Sequence, residues 1–205
     1  MTPSTPRRLS DDLEGLLAIS CERPLCLGEV AAILQGRGFD LLTMVLAAPF
    51  LIPSVPGLST PFGAAIMALG ASLACGREPW LPGFVLRREL SPETLGRILR
   101  LLLKLVRRME RAARPRLLFL QSGPAMTRWI GAAIASGGVF LFLPIMVPVM
   151  NTLPALSILF LAAGLMERDG LFVALGHGFG VAAWIYFGAW LWLGKAGVVW
   201  LHGMF

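Results

Sequence analysis

Three long stretches without a charged side chain constrain the fold of this chain more than any other feature. Asp, Glu, Lys and Arg are absent from residues 41–76, 129–166 and 170–194. A helix that crosses a bilayer needs about 20 apolar residues, whereas buried core helices rarely run so long without charge. Only 15% of the residues are charged, against about 25% in soluble domains. The sequence therefore predicts an all-α integral membrane protein that crosses the membrane several times.

Prolines interrupt the first two of these apolar blocks. Because backbone groups freed by proline cannot face lipid unpaired, an interrupted segment must be surrounded by protein or water. Each block is therefore predicted to form a membrane hairpin, re-entrant or just spanning, that bends at an irregular turn. The turns are assigned to Pro49, Pro53 and Pro56 and to Pro144, Pro148 and Pro154.

The two interrupted blocks resemble each other, which predicts an internal repeat. Pro49 and Pro53 precede Pro144 and Pro148 by 95 residues, and Pro61 precedes Pro154 by 93. Proline-interrupted segments at matching positions of a repeat indicate a transport site at the repeat interface. Whether the repeat is parallel or inverted is left open.

The chain divides into five predicted segments. They are cytoplasmic N-terminal helices (1–38), a first membrane hairpin (39–76), a basic linker with an amphipathic helix at 93–114 (77–116), a second hairpin (117–166), and a C-terminal transmembrane helix with a tail (167–205). Within the last segment, Gly176 to Gly188 form a glycine-rich face that predicts close helix packing and a possible homodimer.

Positive charge is concentrated in the middle of the chain. Residues 77–128 hold twelve of the 18 Lys and Arg. The positive-inside rule places this segment and the N-terminus in the cytoplasm, as expected for an inner-membrane protein. The helix at 93–114 is expected to lie in the membrane interface, with its arginines on anionic headgroups and its leucines in lipid. Membrane lipids, rather than nucleic acid, are the expected partners.

Several quoted segments together resemble the ExoD family of bacterial exopolysaccharide synthesis proteins. The resemblance is carried by "GREPWLP" (76–82), by "LPIMVPVMNTLP" (143–154) and by the exit "ERDG" (167–170), in that order. It implies a protein of the bacterial cytoplasmic membrane that is associated with exopolysaccharide production. It also implies a sodium/proton antiport activity, which has been proposed for some members. The family supplies no catalytic residues to carry over.

Ionisable and amide groups inside or beside the apolar blocks are the candidate transport residues. They are Glu78, Glu167, Asp169, Asn151 and His177. The alternative for the acidic groups is that they simply end helices in the headgroup region. The alternative for Asn151 is that it satisfies broken backbone, and the alternative for His177 is that it is a packed core residue. Asp40, before the first block, is expected to cap its helix.

Arginines at the block ends and on the amphipathic helix are the candidate groups for binding headgroups. They are Arg77, Arg128, Arg168, Arg100 and Arg107. Signatures of phosphate-binding loops, zinc proteases and serine hydrolases are absent, so neither an enzyme nor a cofactor or metal is predicted.

Three functions remain open on the sequence alone. The first is a small transporter that exchanges cations for protons. The second is a protein that binds or translocates a phosphate-headed lipid or a lipid-linked sugar. The third is a scaffold for polysaccharide assembly that transports nothing.

Overall fold

The computed structural model describes residues 9–22, 25–26, 29–30, 39–51, 59–77, 81, 83, 87, 89–112, 123–143 and 151–202. In these ranges the chain is almost entirely helical, which confirms the predicted all-α class. The helices are α1 (Leu9–Glu22), α2 (Phe39–Ala47, continued by a 3-10 turn at Ala48–Leu51), α3 (Ser59–Ala74), α4 (Pro92–Ala112), α5 (Pro124–Phe142), α6 (Thr152–Glu167) and α7 (Gly170–His202). Two short strands, β1 (Leu25–Cys26) and β2 (Glu89–Leu90), pair antiparallel.

Helices α3 and α5 form the most extensive contact between helices. Glycines let their backbones touch: a Cβ on Gly70 would lie 2.4 Å from the amide nitrogen of Ala135, and one on Gly63 would lie 2.3 Å from that of Phe142. Since the first of these contacts joins the later part of α3 to the middle of α5, and the second joins the start of α3 to the end of α5, the two helices run antiparallel. The residues that flank 52–58 and 144–150 therefore meet at one end of the pair.

Helix α6 turns sharply into α7. Arg168 has the left-handed backbone conformation (φ 52°) that commonly ends a helix, and the Asp169 N–H donates to the Gly164 carbonyl at 3.1 Å. The Oδ1 of Asp169 then accepts the Leu171 N–H at 2.9 Å and caps the start of α7. The two helices pack tightly, because Gly176 lies against Leu161 and leaves no room for a side chain. The predicted close packing of this glycine is confirmed, and its partner is α6 of the same chain.

Helix α4 is present as predicted, but its apolar face does not reach lipid. Leu95, Leu99 and Leu102 are fully buried, and α4 packs against α1, where Leu13 and Leu16 are buried. Burying each such side chain contributes roughly 1.5–3 kcal/mol. The expectation that this face inserts into the membrane interface is therefore wrong, because α1 covers it. The basic face of α4 stays exposed.

Two of the helices are long and apolar enough to cross a membrane. They are Pro124–Phe142 and the Gly170–Leu193 part of α7. The apolar helices α3 and α6 have 16 residues each, which corresponds to about 24 Å of helix, less than the roughly 30 Å of a bilayer core. The helix predicted for the C-terminal segment is present and runs beyond residue 194, to His202.

Some predictions fall outside the described residues. Among the hairpin-turn prolines these are Pro53, Pro56, Pro144 and Pro148, whereas Pro49 lies in the buried 3-10 turn and Pro154 is buried in α6. Within the predicted N-terminal segment (1–38), residues 1–8, 23–24, 27–28 and 31–38 also lie outside them, whereas residues 29–30 are helical.

Candidate functional site

Asn151 begins α6 with a buried side-chain oxygen that has no partner. The residue occupies the N-cap position, where an Asn side chain normally accepts a hydrogen bond from the first turn. Here no such bond forms, and among the described residues the buried Oδ1 has no hydrogen-bond partner. One turn later, Pro154 lies beside Gly137 of α5. This buried oxygen lies at the end of α6 that adjoins α5.

His177 lies in a cavity between α5, α6 and α7. Its Nδ1 is 2.9 Å from the Val173 carbonyl oxygen, and its Nε2 is buried without a partner in the described part of the chain. The cavity has a volume of about 280 Å³ and is also lined by Ser157, Ser136, Trp129 and Trp184. The sequence marked His177 alone, because its neighbours come from helices that only the fold brings together.

Asp40 lies in the first turn of α2 rather than in front of the helix. It is outside the two helices long enough to cross a membrane. Burial raises the pKa of Asp40 to about 7, because the charged carboxylate loses its hydration there. The sequence indicated a cap, and the raised pKa makes this carboxyl a further candidate for proton exchange.

The acidic residues of the "ERDG" corner have structural contacts. Asp169 is fully buried and caps α7, as described above, and Glu167 is the last residue of α6. Asn151 and Glu167 therefore lie at opposite ends of α6, roughly 24 Å apart along its axis. The predicted transport residues do not form one cluster, and the role of Asp169 and Glu167 in ion transport stays a prediction. Glu78 lies outside the described residues.

The predicted headgroup-binding arginines lie in three places. Arg77 and Arg128 are exposed at one end of the α3–α5 pair, where a Cβ on Gly76 would lie 3.8 Å from the Arg128 guanidinium. Arg100 and Arg107 lie on the exposed face of α4, and Arg107 forms an ion pair with Glu14 of α1. Arg168 is exposed at the α6–α7 corner.

The described side chains offer no obvious metal site. Within the described ranges, no three His, Cys, Asp or Glu side chains come close enough to hold a metal ion. Cys26 and Cys75 are both free thiols.

Comparison with known proteins places the chain in a family. The model of a family described as "Exopolysaccharide synthesis, ExoD" matches residues 9–189. Protein ExoD of Rhizobium meliloti is 44% identical over 183 residues, which cover 88% of this chain and 76% of that protein. An uncharacterised protein of Synechocystis is 32% identical over 177 residues, which cover 85% of this chain and 82% of that protein. No solved structure matches the chain significantly. This chain belongs to the ExoD family of exopolysaccharide synthesis proteins.

Proposed function

We propose that this protein is a small transporter of the bacterial cytoplasmic membrane that exchanges a cation for a proton in support of exopolysaccharide synthesis. The observation that carries the proposal is the buried Oδ1 of Asn151, which has no hydrogen-bond partner among the described residues. An amide oxygen is an uncharged ligand that hard cations favour, and a buried one without a partner costs free energy until something binds it.

The position of Asn151 supports a transport role. It lies where an apolar helix of less than membrane-spanning length begins, and the ends that flank residues 52–58 and 144–150 meet nearby. Interrupted helices in known transporters present free backbone carbonyls and helix ends to ions at such places. The oxygen of Asn151 would add a side-chain ligand to these groups.

The matching lengths of α3 and α6 support the repeat. α3 runs from Ser59 to Ala74 and α6 from Thr152 to Glu167, so both ends are offset by 93 residues, like Pro61 and Pro154. The antiparallel contact of α3 with α5 favours two hairpins that point the same way, because the interrupted ends then meet. We therefore propose a parallel rather than an inverted repeat.

A proton-exchanging group is also needed, and Asp40 is our first choice. With a pKa of about 7, this carboxyl would change its charge near neutral pH, whereas an exposed aspartate remains ionised there. Glu167 and Asp169 follow as further choices. Cation binding and proton release at separate groups would then be coupled through the helix bundle.

Purified protein in sealed liposomes with an internal pH dye tests the proposal. A pulse of external sodium, potassium or lithium is expected to change the internal pH, and Asn151→Ala is expected to reduce the rate at low cation concentration more than at saturation. Asp40→Asn is expected to abolish the response at every concentration. Gly178→Ala is a matched control, because a Cβ there meets nothing within 4 Å. No response in liposomes with verified folding and orientation would refute cation/proton exchange.

A second candidate function is the binding of phosphate-headed lipids by the basic face of α4. Arg97, Arg100, Lys104 and Arg108 are exposed there, and in the described part of the chain none has an ion-pair partner. Because α1 covers the apolar face, this helix would contact headgroups by charge alone. Such binding weakens steeply with salt.

To test this second function, the purified protein is embedded in detergent-free nanodiscs, and the amount that sediments with added liposomes is measured. Binding to liposomes with anionic lipids is expected to fall when Arg100 and Lys104 are both changed to Gln. The matched control is Arg107→Gln, since this arginine is already paired with Glu14. Equal losses of liposome binding in the two variants, or binding that does not change with salt concentration, would contradict this function.

A further inference from the structure

The cavity around His177, which we call the His177 pocket, has the size and lining of a ligand site. It lies between α5, α6 and α7 and has a volume of about 280 Å³. An apolar protein cavity of about 150 Å³ is large enough to take benzene. The lining combines apolar side chains with few polar groups, as ligand pockets usually do. The residues used below are Trp129, Ser136, Ser157, His177, Gly180 and Trp184.

His177 lines this pocket, and in its neutral form it carries an unshared electron pair on a buried ring nitrogen. A carbonyl oxygen can only accept, so the hydrogen between Nδ1 and Val173 must belong to the imidazole. A neutral imidazole carries one N–H, which leaves Nε2 as an acceptor. This nitrogen is buried and has no partner in the described residues. A ligand that donates a hydrogen bond would remove the cost of that unpaired group.

The two serines of the pocket have the same polarity. The Ser157 hydroxyl donates to the Gly176 carbonyl at 2.8 Å, and the Ser136 hydroxyl donates to the Ala133 carbonyl at 2.8 Å. Each hydroxyl therefore donates its only hydrogen to a backbone carbonyl, and its oxygen can only accept a further hydrogen bond. His177 and both serines thus favour a ligand that donates hydrogen bonds over an anion that accepts them.

The pocket also favours an uncharged ligand. Among the described residues, its lining includes no Asp, Glu, Lys or Arg. An ammonium group buried there would lose its hydration without a carboxylate to compensate. A phosphate would meet three acceptors and no positive charge. The body of the ligand would instead contact the rings of Trp129 and Trp184.

We propose that the His177 pocket binds an uncharged, mostly apolar molecule through one hydroxyl or N–H group, which donates to Nε2 of His177. The pocket opens between α5 and α7, where Trp129 and Trp184 are 64% and 54% exposed. These are also the two helices long enough to cross a membrane, so an apolar ligand would enter from the lipid side. This site does not depend on the cation exchange proposed above.

Three probes of nearly equal shape test the proposal: benzyl alcohol, ethylbenzene and benzylammonium. They differ in whether the end group is a neutral donor, a methyl group or a charged donor. The chain has 2 histidines, so His202→Gln leaves His177 as the only one. The ¹⁵N signal of its Nε2, followed in lipid nanodiscs, reports hydrogen bonding at the atom itself.

Benzyl alcohol is expected to shift the Nε2 signal in the direction of an accepted hydrogen bond and to bind about tenfold more tightly than ethylbenzene, after correction for partitioning into lipid. Benzylammonium is expected to bind more weakly than benzyl alcohol. In His177→Phe the preference for the alcohol over ethylbenzene should vanish, whereas Gly178→Ala should retain it. Equal binding of the alcohol and ethylbenzene, no binding of either, or a preference for benzylammonium would each overturn the proposal.

Discussion

The contact between α3 and α5 predicts that a single methyl group at Gly70 is costly. The Cβ of an alanine there would lie 2.4 Å from the Ala135 nitrogen and 2.8 Å from the Gly131 oxygen, about 1 Å and 0.6 Å inside ordinary contact. Both atoms belong to backbone, so neither can rotate away and one helix must move. Overpacking of this kind costs roughly 1–3 kcal/mol, and the gain in helix propensity from Gly to Ala returns at most about 1 kcal/mol. We expect Gly70→Ala to lower the free energy of unfolding by about 2 kcal/mol.

Thermal unfolding followed by circular dichroism, with protein in one detergent throughout, measures this loss. The matched control is again Gly178→Ala, where the added methyl group has open space and is expected to leave stability equal or slightly higher. Because Gly131 faces the same contact, the double variant with Gly131→Ala should cost less than the two single changes combined. Equal melting temperatures for Gly70→Ala and Gly178→Ala would refute the close contact of α3 with α5.

Four further changes test other contacts. Ser157→Ala should lower the free energy of unfolding by about 1 kcal/mol, since it leaves the buried Gly176 carbonyl without this bond; chemical or thermal unfolding measures it. Glu14→Gln should change the melting temperature little, because its ion pair with Arg107 is about half exposed and such pairs contribute less than about 1 kcal/mol. Arg168→Gly should raise stability by up to about 1 kcal/mol, because glycine adopts the left-handed conformation without strain, and a lower melting temperature would contradict this. The pKa of Asp40 is about 7 in the folded protein and 3.8 ordinarily, so between these pH values the folded protein binds more protons than the unfolded chain. Its stability should therefore fall as the pH rises from about 4 to about 7. Asp40→Asn should remove this pH dependence and should be more stable than the wild type above pH 7, which unfolding measured at pH 5 and at pH 8 would show.

The helical elements were largely predictable because their sequence patterns are local. The amphipathic pattern of α4 follows from charges at steps of three and four, and it survives in the structure as Pro92–Ala112. The "ERDG" segment marks the α6–α7 corner, where a left-handed residue is followed by a capping aspartate. Local backbone chemistry determines both features, so a single sequence suffices to find them.

What covers the apolar face of α4 was not predictable in the same way. A row of leucines opposite a row of arginines fits a helix that lies on lipid as well as one that packs on protein. The sequence alone favoured lipid, because the spacing of basic and apolar residues is what a helix lying in the membrane interface requires. Only the tertiary contact of Leu13 and Leu16 with this face separates the two cases.

The candidate sites were harder still, because their chemistry depends on hydrogen bonds that are already used. The sequence identified His177 as a lone titratable residue. The pocket's preference for ligands that donate hydrogen bonds, however, follows from the backbone carbonyls to which the Ser136 and Ser157 hydroxyls donate. Asn151 was visible as a turn residue, but its availability follows from a cap bond that fails to form. Neither fact has a signature in residue spacing.

The structure places the arginines of one proposed function and Asn151 of the other on different helices, whereas Asp40 lies on α2, which contacts α4. The unpaired arginines lie on α4, which packs against α1, α2 and the 3-10 turn, whereas Asn151 and the His177 pocket belong to α5, α6 and α7. Helix α2 and the 3-10 turn also contact α6, but among the described residues the exposed arginines and Asn151 share no hydrogen bond or ion pair, and such groups contribute nearly independently. Neutralising α4 should therefore change anionic lipid binding and leave cation-driven pH changes in place, and Asn151→Ala should do the reverse. Two functional losses that always occur together would mean that the layers are coupled, which points to a phosphate-bearing molecule that reaches from one layer to the other.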